Sequence, residues 1–252
     1  MNRPAPYRFT VLGKHAVTPR MLRVTLGGEG MQRFPDDQAS AYVKLLLPVP
    51  GQDRPLLRTY TVRAQRDDAI DIDFALHGED GGGPASGWAL SCAPGDAIEI
   101  AGPGPKKQVD PKADWILMVG DMTALPALSV NLEQLPPDAH GRAIIEVPDE
   151  ADIQTLPAPT GFELQWVLNP RPGYTTPLLD AVEALTWPQG EVNIWAACEF
   201  TSMLALRTHF RDIRGMTRKQ VYISSYWKQG SDEESHKSLK RTDAEQNETR
   251  AA

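Results

Sequence analysis

The stretch "GPGPKKQVDPKADWILMVGD", residues 102–121, marks a change of texture that constrains the fold more than any other part of the chain. Before it, short segments such as "YRFTVLGKHAV", "MLRVTLGG", "AYVKLLLP", "LRTYTVR", "AIDIDFALH" and "DAIEIAG" are separated by turn residues. That spacing predicts an antiparallel barrel or sandwich. After it, "WILMVGD" is a continuous apolar strand followed directly by the helical pattern "TALPALSVNLEQL". Strands and helices then alternate through "RAIIEV", "FELQWVL", "TPLLDAVEAL", "VNIWAACE", "TSMLALRTHFRDIR" and "VYISSYW", the pattern of a parallel sheet covered on both faces. The expected organisation is a six-stranded antiparallel β-barrel over residues 1–110, a parallel-sheet α/β domain over 111–230, and a charged tail over 231–252. The tail opens with a capping box, Ser231 to Glu234, so either a short helix or disorder is expected there.

Composition narrows the function classes. A chain of 252 residues can build two cores. With 26 Lys and Arg against 33 Asp and Glu, nucleic acid and anionic membranes are disfavoured as partners, and an anionic ligand needs a local basic patch. No apolar run approaches the roughly 20 residues of a membrane span, and "MNRPAPYRFT" lacks the apolar core of a signal peptide. A cytoplasmic monomer is expected. Cys92 and Cys198 show no CxxC or Cys/His spacing, which argues against iron–sulfur and structural zinc sites and for no resident metal.

Four places can carry chemistry. In "LLRTYTVR", alternation puts Arg58 and Tyr60 on one face of a strand, and with Thr61 they offer a cation, a flat ring and a hydroxyl. In "HGEDGGGPASGWALS", Gly81, Gly82 and Gly83 allow close backbone approach, and Pro84 suits a first helical position whose free amides favour an anion such as pyrophosphate. In "MVGDMTALPAL" and "ACEFTSM", Asp121 and Thr123, then Glu199, Thr201 and Ser202, lie where strands of an open α/β sheet end and ligands bind. Both turns also read as helix caps.

These motifs, in this order and spacing, resemble the siderophore-interacting proteins, FAD-dependent ferric-siderophore reductases related to the ferredoxin–NADP reductase superfamily. The resemblance is carried by "RTYTVR", "DFALHG", "GPASGWA", "PGDAIEIAGPG", "VGDMTALPAL", "WAACEFTSMLALR" and "VYISSYWKQG". It implies that Arg58, Thr59, Tyr60, Thr61, Asp73, Phe74, His77, Gly83, Pro84, Ala85 and Ser86 bind FAD. It implies that Asp121, Thr123, Ala124, Glu199, Thr201 and Ser202 face NAD(P)H, with Arg171 and Arg207 as candidates for the 2′-phosphate of NADPH; Cys198 stands where the family usually has Gly. It further implies a basic cluster of Lys44, Lys228 and Lys240 for a ferric siderophore, and no catalytic side chain, because flavin N5 is the redox centre. Other electron acceptors remain open: free flavin, a ferredoxin or an oxygenase partner. So does a non-catalytic siderophore or flavin carrier.

Overall fold

The computed structural model describes residues 5–49, 51, 54–76 and 83–250, with side chains as far as residue 245. Contacts divide the chain into two compact units. The first comprises Met1–Gln108, Leu125–Leu135 and Glu150–Ala158, and the second Val109–Ala124, Pro136–Asp149 and Pro159–Ala252.

In the first unit, strands β1 (Tyr7–Thr18), β2 (Met21–Gly27), β3 (Tyr42–Leu47), β4 (Leu56–Gln65), β5 (Ala69–Ala75) and β6 (Ala97–Ala101) close into the antiparallel barrel that the spacing predicts, in the order β1-β2-β5-β4-β3-β6. Period-two alternation fills it: β3 buries Val43, Leu45 and Leu47, and β6 buries Ile98 and Ile100. Helix α1 (Pro84–Ser91) packs Ala85 and Ala89 into the same core. Its last carbonyls, Ala89 O and Leu90 O, accept hydrogen bonds from Lys14 Nζ at 3.2 and 2.5 Å, which places a cation at the negative end of the helix. Helix α2 (Leu125–Glu133) belongs to this unit, and Arg63 on β4 binds Glu133 through both carboxylate oxygens at 2.5 and 3.1 Å.

The second unit is a parallel sheet of β7 (Trp115–Asp121), β8 (His140–Val147), β9 (Gly161–Leu168), β10 (Val192–Glu199) and β11 (Val221–Trp227), in the order β11-β10-β7-β8-β9. Its central strands are apolar on both faces, as a covered parallel sheet requires; β10 buries seven of its eight residues. Helices α3 (Pro177–Glu183) and α4 (Phe200–Thr208) pack Leu178, Val182, Met203 and Leu206 against it, and α4 runs on into a π-helical turn, His209–Ile213. The tail forms helix α5 (Glu233–Arg250), 18 residues long. Its cap is Asp232, whose Oδ1 accepts from Ser235 N at 2.8 Å, one position later than the capping box predicts. Among the described residues no helix is long and apolar enough to cross a membrane.

One buried charge ties an excursion of the chain to the barrel. Asp152 is fully buried and accepts from Thr18 Oγ1, Arg20 N and Arg20 Nη1 at 2.8, 2.9 and 2.9 Å. Asp152→Ala leaves those donors unmatched, so chemical denaturation should show a loss of about 1–3 kcal/mol, more than Asp152→Asn.

Candidate functional site

In the barrel unit, the β3–β4 register opposes Val43 to Tyr60 and Leu45 to Arg58. Directly opposed residues share a face, so Arg58 and Tyr60 lie together on the side of the sheet that carries Val43 and Leu45. Lys44, opposite Thr59, lies on the other face, so the structure separates it from the Arg58–Tyr60 pair. Tyr60 is half-buried and stacks on Phe74 at 4.5 Å between ring centroids, and Phe74 in turn meets Trp88 at 5.8 Å. This aromatic ladder couples β4, β5 and α1, and holds the phenol ring in place relative to the start of the helix. Arg58 Nη1 donates to Leu57 O at 2.9 Å, which turns the guanidinium back along its own strand.

Among the described residues, the start of α1 has no side-chain cap and no acidic residue in its first turn. A β-carbon added at Gly83 or Gly87 would meet no atom within 4 Å, so the turn borders open space. A helix start with no side-chain cap among the described residues, beside open space, suits an anion. Ala85 and Ser86 are buried beneath it. Two other predicted residues are engaged elsewhere: Phe74 is a core side chain, and Asp73 is gripped by Arg23 through Nε and Nη2 at 2.6 and 2.7 Å. Thr61 is buried and Thr59 exposed. His77, with Gly81 and Gly82, lies outside the described residues.

In the α/β unit, the two strand-to-helix turns are joined by one carboxylate. Asp121 Oδ1 accepts from Thr123 N and Oγ1 at 2.9 and 2.6 Å, while Oδ2 accepts from Glu199 N and Trp227 Nε1, both at 2.8 Å. Burial pushes its carboxyl up, and the four hydrogen bonds it accepts pull it back. Ala124 N donates to Asp121 O at 3.0 Å, closing the turn. Glu199 caps α4: Oε2 accepts from Thr201 N and Ser202 N, and Oε1 from Gln229 N at 3.2 Å. Cys198 is fully buried beside them, and burial pushes its thiol well up, so it is an inert packing group.

The loop after β9 spans this edge of the sheet. Asn169 Oδ1 accepts from Arg171 N and Thr175 Oγ1 at 3.1 and 3.0 Å, folding the loop on itself, and the Arg171 guanidinium lies 5.3 Å from the Tyr174 ring centroid. The far end of the loop rests on the end of β11, where Gln229 Nε2 donates to Tyr174 Oη at 3.1 Å. Arg171 and Tyr174 are both exposed. Arg207 instead forms a two-pronged ion pair with Asp243 on α5, both contacts at 2.6 Å.

Of the remaining predicted cations, Lys228 Nζ lies 5.3 Å over the Phe200 ring. Lys240 Nζ donates to Ser224 Oγ and Ser225 O at 3.1 and 2.8 Å, fastening α5 to β11. His236 joins this fastening at 2.8 Å from Ser225 Oγ; burial, with Lys240 nearby, lowers its pKa to about 4 and leaves it neutral at physiological pH. Sequence reasoning missed Trp227, Asn169, Tyr174 and Glu146. Of these, only the placement of Asn169 and Tyr174 after a predicted parallel strand offered a signal.

A closed six-stranded antiparallel barrel joined in one chain to a five-stranded parallel sheet is the two-domain fold of the ferredoxin–NADP reductase class, shared with phthalate dioxygenase reductase at a TM-score of 0.63. The sequence matches the description "Siderophore-interacting FAD-binding domain" over residues 10–55 and 49–107, and "Siderophore-interacting protein" over residues 113–230. The chain belongs to the siderophore-interacting protein family. It is 34% identical to the ferric vibriobactin reductase ViuB of Vibrio cholerae, over 94% of each chain. It is 37% identical to an uncharacterized protein of Mycobacterium tuberculosis, over 95% of this chain and 96% of that one. The crystal structure of the siderophore-interacting protein SipS from Aeromonas hydrophila matches it with a TM-score of 0.86 and 36% identity, covering 96% of this chain and 98% of that one.

Gly173 tests the loop. Its φ is +81°, and an added β-carbon would lie 2.7 Å from Gln229 Cβ, whereas Gly215 has φ +66° with open space around it. Gly173→Ala should therefore cost more stability than Gly215→Ala, whose strain alone is worth about 1–3 kcal/mol. Urea denaturation of the two variants side by side measures the difference.

Proposed function

We propose that this protein is a ferric-siderophore reductase that passes electrons from NAD(P)H through FAD to siderophore-bound Fe(III). The observation that carries the reading is the pairing of Arg58 and Tyr60 on one face of β4, within a unit whose α1 begins with no side-chain cap among the described residues. Those groups match two parts of a flavin adenine dinucleotide, its ring and its central diphosphate. Arg58 and the Gly83–Ser86 turn take the diphosphate, as a forked cation and a set of backbone donors can. The Tyr60 ring, fixed by Phe74, takes the flat face of the isoalloxazine, with Thr61 at its polar edge. Bound FAD supplies the exchange of a two-electron hydride for the single-electron steps that Fe(III) accepts.

The α/β unit takes the electron donor. Asp121, Thr123, Ala124, Glu199, Thr201 and Ser202 shape the turns along its carboxyl edge, and Arg171 beside Tyr174 suits a 2′-phosphate, which favours NADPH over NADH. Lys228 suits the anionic oxygens of a ferric siderophore; Lys44 lies on the opposite face of the barrel sheet from Arg58 and Tyr60. The ammonium of Lys240 and the guanidinium of Arg207 are bound by this chain's own acceptors, so their part in this reading is to hold α5. No side chain needs to donate or remove a proton for the electron transfer. The chain's work is placement.

The test is anaerobic stopped-flow mixing of flavin-loaded protein with NADPH, NADH or reduced ferredoxin, followed by ferric chelates. Bleaching of the flavin by NADPH and its reoxidation by a ferric siderophore are expected. A flavin that no ferric siderophore reoxidises points to another acceptor, and a protein that FAD cannot reconstitute overturns the reading in favour of a carrier. Arg58→Ala should weaken FAD binding by about ten- to a hundredfold, the loss of a charge-assisted contact of about 1.5–3 kcal/mol, with an unchanged far-ultraviolet spectrum.

A further inference from the structure

Three carboxylates stand at the carboxyl ends of adjacent strands: Glu146 on β8, Asp121 on β7 and Glu199 on β10. Asp121 and Glu146 are direct register partners, so they leave the sheet on the same face. They are unequally supplied with donors. Asp121 accepts four hydrogen bonds and Glu199 three. Glu146 is 5% exposed, and its Oε2 is buried without a hydrogen-bond partner. Asn169, 3% exposed, approaches it from just past the end of β9 and opposes the rise of its pKa, but its Nδ2 closes no well-formed hydrogen bond.

The groups that act on Glu146 are Asp121 and Glu199, both acidic, and the neutral Asn169; no cation is among them. When like charges share a site of low dielectric, the proton goes to the acid with the fewest donors. Burial, then Asp121, push the Glu146 carboxyl up to about 8. Ionising it would set a third negative charge against the carboxylates that hold both turns, beneath a loop anchored by Asn169 and carrying Arg171.

We propose that Glu146 is a positioning residue for the nucleotide: as the neutral acid it lets Asp121, Glu199 and Asn169 hold both turns and the Arg171 loop in place, and as the carboxylate it loosens them. The inference rests on the nucleotide reading of this edge. It gives alkaline pH a direction of effect, because the folded chain keeps a proton there that the unfolded chain gives up at about pH 4.3. Stability from this group therefore falls as pH rises from about 4.3 towards 8, then levels off.

The indole of Trp227 donates to Asp121, so its N–H resonance reports the charge beside that carboxylate. In the flavin-loaded protein, labelled with 15N at tryptophan and assigned through Trp227→Phe, that resonance should titrate with a midpoint of about 8 and stay flat in Glu146→Gln. Over the same range, affinity for 2′,5′-ADP by calorimetry should fall about tenfold in the wild type and hold in Glu146→Gln beyond the change due to the ligand's own phosphates. An indole resonance that does not titrate, or that titrates alike in both proteins, overturns the role of Glu146 even if 2′,5′-ADP binds well. A titrating indole with no 2′,5′-ADP bound at any pH overturns instead the nucleotide reading. If Glu146→Gln does not fold, a flat wild-type titration still refutes the inference.

Discussion

The buried Asp121 carboxylate organises the α/β unit. Taking an anion out of water costs several kcal/mol, and only a full set of donors offsets that. Its four donors come from its own turn, from the turn at the end of β10 and from the indole at the end of β11. Each is charge-assisted and worth about 1.5–3 kcal/mol in place. Losing one donor exposes the cost of the others, so the two turns and β11 form cooperatively. Every candidate nucleotide contact in this unit except Arg207 depends on that assembly or on the loop lying across it.

Both layers of the fold were legible because each rests on local periodicity. "AYVKLLLP" alternates as a half-buried barrel strand does, and "WILMVGD" does not alternate because it is covered on both faces. Asp121 and Glu199 were legible for a related reason: they close apolar strands just before helical patterns. Side-chain partners were not. Arg207 reads as a surface or ligand-facing cation until Asp243, 36 residues later, folds back onto it. Lys240 reads as part of a solvated tail, yet its acceptors are Ser224 Oγ and Ser225 O on β11. Asp73 sits in a motif that resembles flavin-binding sequences, but Arg23, 50 residues earlier, takes both its oxygens. Glu146 looks like an ordinary polar residue within "RAIIEV". Its burial follows from the place of β8 between β7 and β9, a fact of sheet order that no local pattern contains.

The two units handle negative charge by different means. In the barrel unit the start of α1 carries no side-chain cap among the described residues, so backbone can meet an anion. In the α/β unit Glu199 already takes the first amides of α4, so that helix start is satisfied from within. An anion at this sheet edge must therefore be met by side chains such as Arg171, carried on a loop that lies against β11.

That division has an evolutionary consequence. A backbone cradle can change its ligand only by refolding, whereas a solvent-facing arginine can be exchanged without disturbing the hydrophobic interior. Among descendants of such a chain, a contact made by Arg171 is open to drift one codon at a time, while the backbone turn at the start of α1 stays under the constraint of the barrel that builds it.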